Sequence, residues 1–142
     1  MMTIWKQTAT CEQLNALSQK SAVAHLGIEF TAIGEDWIEA QLMVDERTQQ
    51  PFGVLHGGVS AALAETTANA GALMVCEAHQ IAVGMELNIS HLKSVPAGTK
   101  AIACANPLKL GREVQVWNID IKDEQGNLCA VARLSTKTLD KR

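Results

Sequence analysis

Between Gly57 and about Ala78 the chain runs through Val59, Ala61, Ala62, Leu63, Ala64, Ala68, Ala70, Ala72, Leu73, Met74 and Val75. One ionisable side chain, Glu65, interrupts that run before Cys76. Alanine and leucine favour a helix, and Gly57-Gly58 marks its start. A helix apolar nearly all round must be buried on most sides, so whatever else this chain forms has to wrap it.

The flanking sequence supplies strands for that purpose. Thr10 and Gln13 have capping-box spacing ahead of Leu14 and Leu17, which give a first short helix one apolar edge. Ser21 to His25 makes a further helical turn, stopped by Gly27. Ile28 to Ile33 is β-prone, Gly34-Glu35-Asp36 reads as a hairpin turn, and Ile38, Ala40, Leu42 and Val44 alternate with Glu39, Gln41 and Met43. Asp45 to His56 is a polar loop. Past the long helix, Ile81, Val83, Met85, Leu87 and Ile89 alternate strictly. Strands over about Thr99 to Pro107, Glu113 to Lys122 and Leu128 to Thr138 follow, the last pair joined by the turn Asp123-Glu124-Gln125-Gly126-Asn127. Strands joined by tight turns around a single helix predict an antiparallel α+β fold, and 142 residues fit one domain, 1–142. The economical arrangement is a curved sheet around the helix, whose edges and any uncovered helix face invite dimerisation.

Composition excludes several functions. A net charge of −3, with no Lys/Arg run longer than two, offers nothing to a nucleic-acid backbone. Cys11, Cys76, Cys104 and Cys129 lie far apart with no CxxC pair, which predicts free, mostly buried thiols in a reducing cytoplasm. His25, His56, His79 and His91 have no ligand spacing, so no metal or other cofactor is expected. No apolar stretch of membrane-spanning length lacks charges or turn residues, and no GxSxG elbow for a serine hydrolase is present.

Glu65 is therefore the residue to explain. An isolated carboxylate in an apolar helix either has its pKa raised, finds a partner, or points at solvent through an opening in the sheet. Asn69 lies one turn on and is placed to hydrogen-bond it. Directly upstream, Gln50-Pro51-Phe52-Gly53-Val54-Leu55-His56-Gly57-Gly58 leads into the helix. The first amides of a helix have no internal acceptor, and with the helix dipole they can polarise a carbonyl or hold an oxyanion. His56 and Gln50 add polar groups there, while the bland alternatives are a tight turn for the glycines and a cap or core role for His56. Carbonyl polariser, carboxylate and orienting amide together make an acyl-transfer set.

The stretch Gln50–Thr66, QPFGVLHGGVSAALAET, resembles the hallmark of the hotdog-fold acyl-CoA thioesterases, which include phenylacetate-pathway and 4-hydroxybenzoyl-CoA enzymes. Val23-Ala24-His25-Leu26-Gly27-Ile28, Glu86-Leu87-Asn88 and Leu110-Gly111-Arg112 are similar to the subgroup of 1,4-dihydroxy-2-naphthoyl-CoA hydrolases and their enterobactin-proofreading relatives. The resemblance implies a hotdog fold and an aryl-CoA substrate, hence a place in menaquinone biosynthesis. It casts Glu65 as general base or nucleophile and the Gly57 N–H as carbonyl polariser, with Gln50 and His56 beside it. It implies a dimer, often a dimer of dimers, with Gln50 and Gly57 facing Glu65 of the partner subunit. His91, on the loop after the Ile81–Ile89 strand, matches a residue of the acyl pocket, and Asn69 stands where the subgroup usually has Ser or Thr. Gly84, His91, Leu92, Lys93, Ser94, Leu108, Lys109, Leu110, Gly111, Arg112 and Glu113 match the nucleotide and pantetheine path, with Lys93, Lys109 and Arg112 as phosphate contacts or simply solvated charges.

Apart from the resemblance, Phe52, Leu55, Val59 and Met85 are candidates for an apolar acyl pocket. Other readings of the same residues are proofreading of acylated carrier protein, a dehydratase pairing His56 with Glu65, or a non-catalytic acyl-CoA binder. The loop lacks the proline-rich pattern of the dehydratases, and the chain has no room for the DNA-binding segment that such binders carry in transcriptional regulators.

Overall fold

A computed structural model describes residues 3–142. In chain order the elements are α1 (Cys11–Leu17), α2 (Ala22–His25), β1 (Glu29–Ile33), β2 (Ile38–Met43), α3 (Gly57–Val75), β3 (Gln80–His91), β4 (Lys100–Leu110), β5 (Val114–Lys122) and β6 (Leu128–Asp140). The six strands form one antiparallel sheet in the order β1-β2-β4-β5-β6-β3. α3 lies in its concavity, against β2, β3, β4, β5 and β6. This is the hotdog arrangement that the sequence led us to expect. None of the helices among the described residues is long and apolar enough to cross a membrane.

The core follows from the alternation. Ile38, Ala40 and Leu42 of β2, Ala101, Ala103 and Ala105 of β4, and Trp117, Ile119 and Ile121 of β5 all point at α3 and are buried. Small residues on β4 let the helix approach the sheet. Gly71 does the same from the other side, since a Cβ there would sit 2.9 Å from the Trp117 ring and 3.2 Å from Ile38. Gln115 is buried beside them, accepts from Trp117 Nε1 (2.9 Å) and donates to Ala72 O (3.1 Å), so this polar pair is satisfied within the core.

Several boundaries differ from expectation, each for a local reason. α3 stops at Val75, three residues short of Ala78. The N-terminal segment crosses its end, where Lys6 N and Gln7 N both donate to Met74 O and the Gln7 amide caps Leu73 O and Cys76 O. β4 continues to Leu110, three residues beyond Pro107, through a bulge between Pro107 and Lys109. β3 runs to His91, so His91 ends a strand and does not sit on the loop after it. The alternation in β3 is also broken, by a bulge between Gly84 and Glu86. Gly84 pairs with buried Thr136 and Leu87 with buried Leu134, so Met85 is extruded and 53% exposed, while Val83 is 38% exposed. All four cysteines are free, but only Cys76 and Cys129 are buried.

Candidate active site

α3 and β3 run side by side and approach closely at two places, each admitted by a glycine. At the start of the helix a Cβ on Gly57 would lie 3.1 Å from His91 Nε2. Two turns further on, the Glu65 carboxylate rests against Gly84, where a Cβ would collide with Oε2. Glycine is required at neither place by φ, since neither backbone is in the left-handed region. What glycine admits is a neighbouring side chain, which occupies the space a Cβ would take.

The first end gathers the loop residues. His56 is the N-cap of α3: its Nδ1 accepts from Gly58 N (2.9 Å), while its carbonyl accepts from Val59 N and Ser60 N. That bond leaves Nε2 as the protonated nitrogen of the neutral ring, a donor facing outward. Gly57 N–H is then the one amide of the first turn with no acceptor among the described residues. Gln50 belongs to a loop held by Gln50 N to Val54 O (2.8 Å) and Leu55 N to Val95 O (2.8 Å), and its side-chain oxygen accepts from Phe52 N. Gln50, Gly57, His91, Leu92, Lys93 and Ser94 share a cavity of about 350 Å³.

Lys93 is less available than expected. Its ammonium lies 2.9 Å from the buried Asp123 carboxylate, which also accepts from Gln125 N, Asn127 N and the Asn127 amide. Lys93 first, and Asn127 second, hold the Asp123 carboxyl well below the ordinary carboxylate range, and Asp123 raises the Lys93 ammonium in return.

The second end holds Glu65 and Asn69. Glu65 is exposed in the single chain, on an uncovered stripe of α3 with Ala62, Thr66, Asn69 and Leu73. Of the alternatives the sequence left open for Glu65, the chain takes the solvent-facing one, because the sheet wraps only the other faces of the helix. Nor does Asn69 bond Glu65: its Oδ1 is buried without any hydrogen-bond partner. The expected acyl-pocket residues do not converge either. Phe52 is 89% exposed on its loop, Met85 points away through the bulge, and only Leu55 reaches the smaller cavity.

Gly57 and Glu65 are eight residues apart, about 12 Å along a helix, too far for one thioester carbonyl to meet both. Gly84 and His91 are separated by about 23 Å of strand. The β4–β5 turn, with exposed Lys109, Arg112 and Glu113, lies level with Gly84, because Leu110 pairs Gln115, Gln115 pairs Thr136, and Thr136 pairs Gly84. Gly111 makes that turn tight, donating to Val114 O at 2.9 Å. Leu108, extruded by the β4 bulge, and Leu110 are exposed there. The expected site residues thus fall into two groups at opposite ends of one chain: Glu65, Asn69, Gly84 and Leu108 to Glu113 at one, Gln50, His56, Gly57 and His91 to Ser94 at the other.

Comparison with known proteins agrees with this architecture. The family model for the thioesterase superfamily matches residues 52–130, more than half of the chain. A Haemophilus influenzae protein with a provisional esterase name is 52% identical over 137 residues, 96% of this chain and 99% of that one. The crystal structure of a thioesterase from Haemophilus influenzae superposes with a TM-score of 0.95 at 51% identity, covering 97% of this chain and 96% of that one. That of a mutant thioesterase from Pseudomonas aeruginosa gives 0.94 at 35% identity, covering 98% and 100%. The fold, the two glycine-admitted contacts and these matches lead to one conclusion: the chain belongs to the thioesterase superfamily, and is a hydrolase of thioesters with the hotdog fold.

Proposed function

We propose that the chain hydrolyses an aromatic acyl-CoA, with 1,4-dihydroxy-2-naphthoyl-CoA the first candidate, in a site that two copies build together. The observation that carries this is the free Gly57 N–H at the head of α3. It is a preorganised donor with the helix dipole behind it, and it needs an oxygen to bind. Glu65 supplies the complementary group. Acting as general base, it takes a proton from water as the water oxygen bonds to the thioester carbonyl carbon. The carbonyl oxygen becomes an oxyanion held by Gly57 N–H, and collapse breaks the C–S bond as the proton held by Glu65 passes to the sulfur, releasing the acid and CoA as its thiol. In the nucleophilic variant the Glu65 oxygen attacks first, the C–S bond breaks to expel the CoA thiolate, and water hydrolyses the resulting anhydride, its proton going to the thiolate.

Assembly follows from β3, which is an outer strand of twelve residues with one unpaired edge. So long an edge is a template for another strand. Antiparallel pairing with a second β3 about a two-fold axis near Leu87 and Asn88 sets Gly84 beside His91 of the partner subunit. The same axis, passing near Ala61 of α3, brings Glu65 to the partner's Gln50 and Gly57. The CoA path would likewise combine Leu108 to Glu113 of one copy with His91 to Ser94 of the other.

The test is release of CoA thiol from hydroxynaphthoyl-, benzoyl-, phenylacetyl- and hexanoyl-CoA by wild type and Glu65→Ala. Glu65 is exposed in the chain, so the variant should fold normally while losing nearly all turnover. Near-normal activity in Glu65→Ala would refute the mechanism, and turnover of acylated carrier protein alone would refute the CoA substrate.

A further inference from the structure

The cavity beside Gly57 has two walls that are tied to each other. One is the loop that carries Gln50 into Gly57, and the other is the strap that leaves the end of β3 at Leu92. Leu55 N donates to Val95 O (2.8 Å), Ala97 N donates to Gly53 O (2.9 Å), and Val54 pairs with Pro96. Where the strap goes, the loop and Gly57 must follow. The strap starts against β6, where Leu92 N and Lys93 N share one acceptor, Cys129 O, at 2.8 and 3.1 Å. Between that point and Val95 the remaining polar tie among the described residues is a side chain, Lys93 Nζ on Asp123 Oδ2 at 2.9 Å. The Asp123 side chain is 5% exposed, and both of its oxygens are fully engaged. Gln125 N and Asn127 N donate to Oδ1, while Asn127 Nδ2 and Lys93 Nζ donate to Oδ2. The bonds from Gln125 and Asn127 close the β5–β6 turn on itself, and the bond from Lys93 alone leaves it for the strap. A carboxylate held still and shielded from water gives the ammonium a fixed point that an exposed ion pair would not.

We propose that Asp123, which touches no reacting group, is a positioning residue for the thioester carbonyl: it holds Lys93, Lys93 holds the strap, and the strap places the Gly57 N–H through Val95 and Leu55. The proposal rests on the reading of that N–H as the carbonyl polariser. It gives the Lys93 ammonium a role inside the chain in place of a phosphate contact. Asp123 then acts on kcat, because a donor aimed at a developing oxyanion is worth most in the transition state.

Two variants break the pair and spare the turn. Asp123→Asn keeps an oxygen for Gln125 N and Asn127 N but turns an amide towards Lys93, and Lys93→Met keeps the stem without the ammonium. A sub-ångström shift of the donor should cost about tenfold in kcat and leave KM for benzoyl-CoA within about twofold. Both residues act through one bond, so the double variant should lose no more than either single one. Rates are counted per folded molecule, which a merely structural role would leave unchanged. The carbonyl supplies a second readout that needs no turnover. The infrared ketone stretch of S-phenacyl-CoA, which has no thioester to hydrolyse, should fall on binding to wild type and return towards its free value in both variants. A shift that persists in the variants, or additive losses of kcat in the double variant, would overturn the role of Asp123 and leave the Gly57 reading standing. No shift in wild type would overturn that reading and this proposal with it. A KM raised by Lys93→Met and lowered by Asp123→Asn, for benzoyl-CoA but not for S-benzoyl-pantetheine, would make Lys93 a phosphate contact and also overturn the proposal.

Discussion

Gly84→Ala should separate the position of the Glu65 carboxylate from the stability of the fold. The backbone at Gly84 is not in the left-handed region, so alanine fits it without strain, and the new Cβ would meet Leu134 at an ordinary 3.6 Å. Its one collision is with Glu65 Oε2, the tip of a flexible side chain on an exposed stripe. That tip must retreat by about 1 Å to reach van der Waals distance, and a misplacement of ~1 Å in a reacting group costs about 100-fold in rate. Retreat of an exposed tip costs the fold little, and alanine loses less chain entropy on folding than glycine does. Melting should therefore stay within about 3 °C of wild type. The assay is kcat/KM for benzoyl-CoA release beside a melting curve of the same sample. The expected result is about a 100-fold loss of activity with unchanged melting. Wild-type activity would show that Glu65 need not sit against β3, and the reasoning from the glycine contact would fail.

Further outcomes follow from the packing and the charges. Gly71→Ala drives a methyl group against the fully buried Trp117 and Ile38, which cannot withdraw. Overpacking of about 1–3 kcal/mol outweighs the ~1 kcal/mol of better helix propensity, so denaturant titration should show net destabilisation with activity per folded molecule retained. His56→Ala removes the N-cap of α3 and should cost about 1 kcal/mol in the same titration, while His56→Asn keeps the cap. Asp123 titrates below its unfolded value, so its stabilising effect is complete above about pH 4 and is lost as pH falls through the depressed folded value. Unfolding titrations at pH 7 and pH 3 should show a smaller acid loss for Asp123→Asn than for wild type. An equal loss would mean that the Lys93 pair does not govern this range.

The long helix and its lone carboxylate were legible because composition alone declares them: a run of Ala, Leu and Val cannot be solvated, and Glu65 stands out within it. The capping box at Thr10 and the alternation of Ile38 to Leu42 were equally plain, being local signals. What was not legible depends on contacts between distant segments. The alternation of Ile81 to Ile89 continues across a bulge that only pairing with β6 reveals, so Met85 looked inward. Lys93 looked like a free phosphate contact because Asp123, its partner, lies thirty residues away on another turn. Whether Glu65 is buried or faces solvent stayed open because periodicity describes a helix and cannot say which face the sheet leaves open. Leu14 and Leu17 looked like one apolar edge, yet only Leu14 packs against the core and Leu17 is exposed.

Subunit complementation tests the shared site most directly. Glu65→Ala and Gln50→Ala, each crippled alone, are co-refolded so that subunits exchange at random, and CoA release is measured per chain. If Glu65 works with Gln50 and Gly57 of the partner subunit, half of the dimers are mixed, and each mixed dimer regains one intact site. Activity should then return to about a quarter of wild type. A mixture no more active than its two parents would mean that each site lies within one chain, contradicting a site shared between subunits.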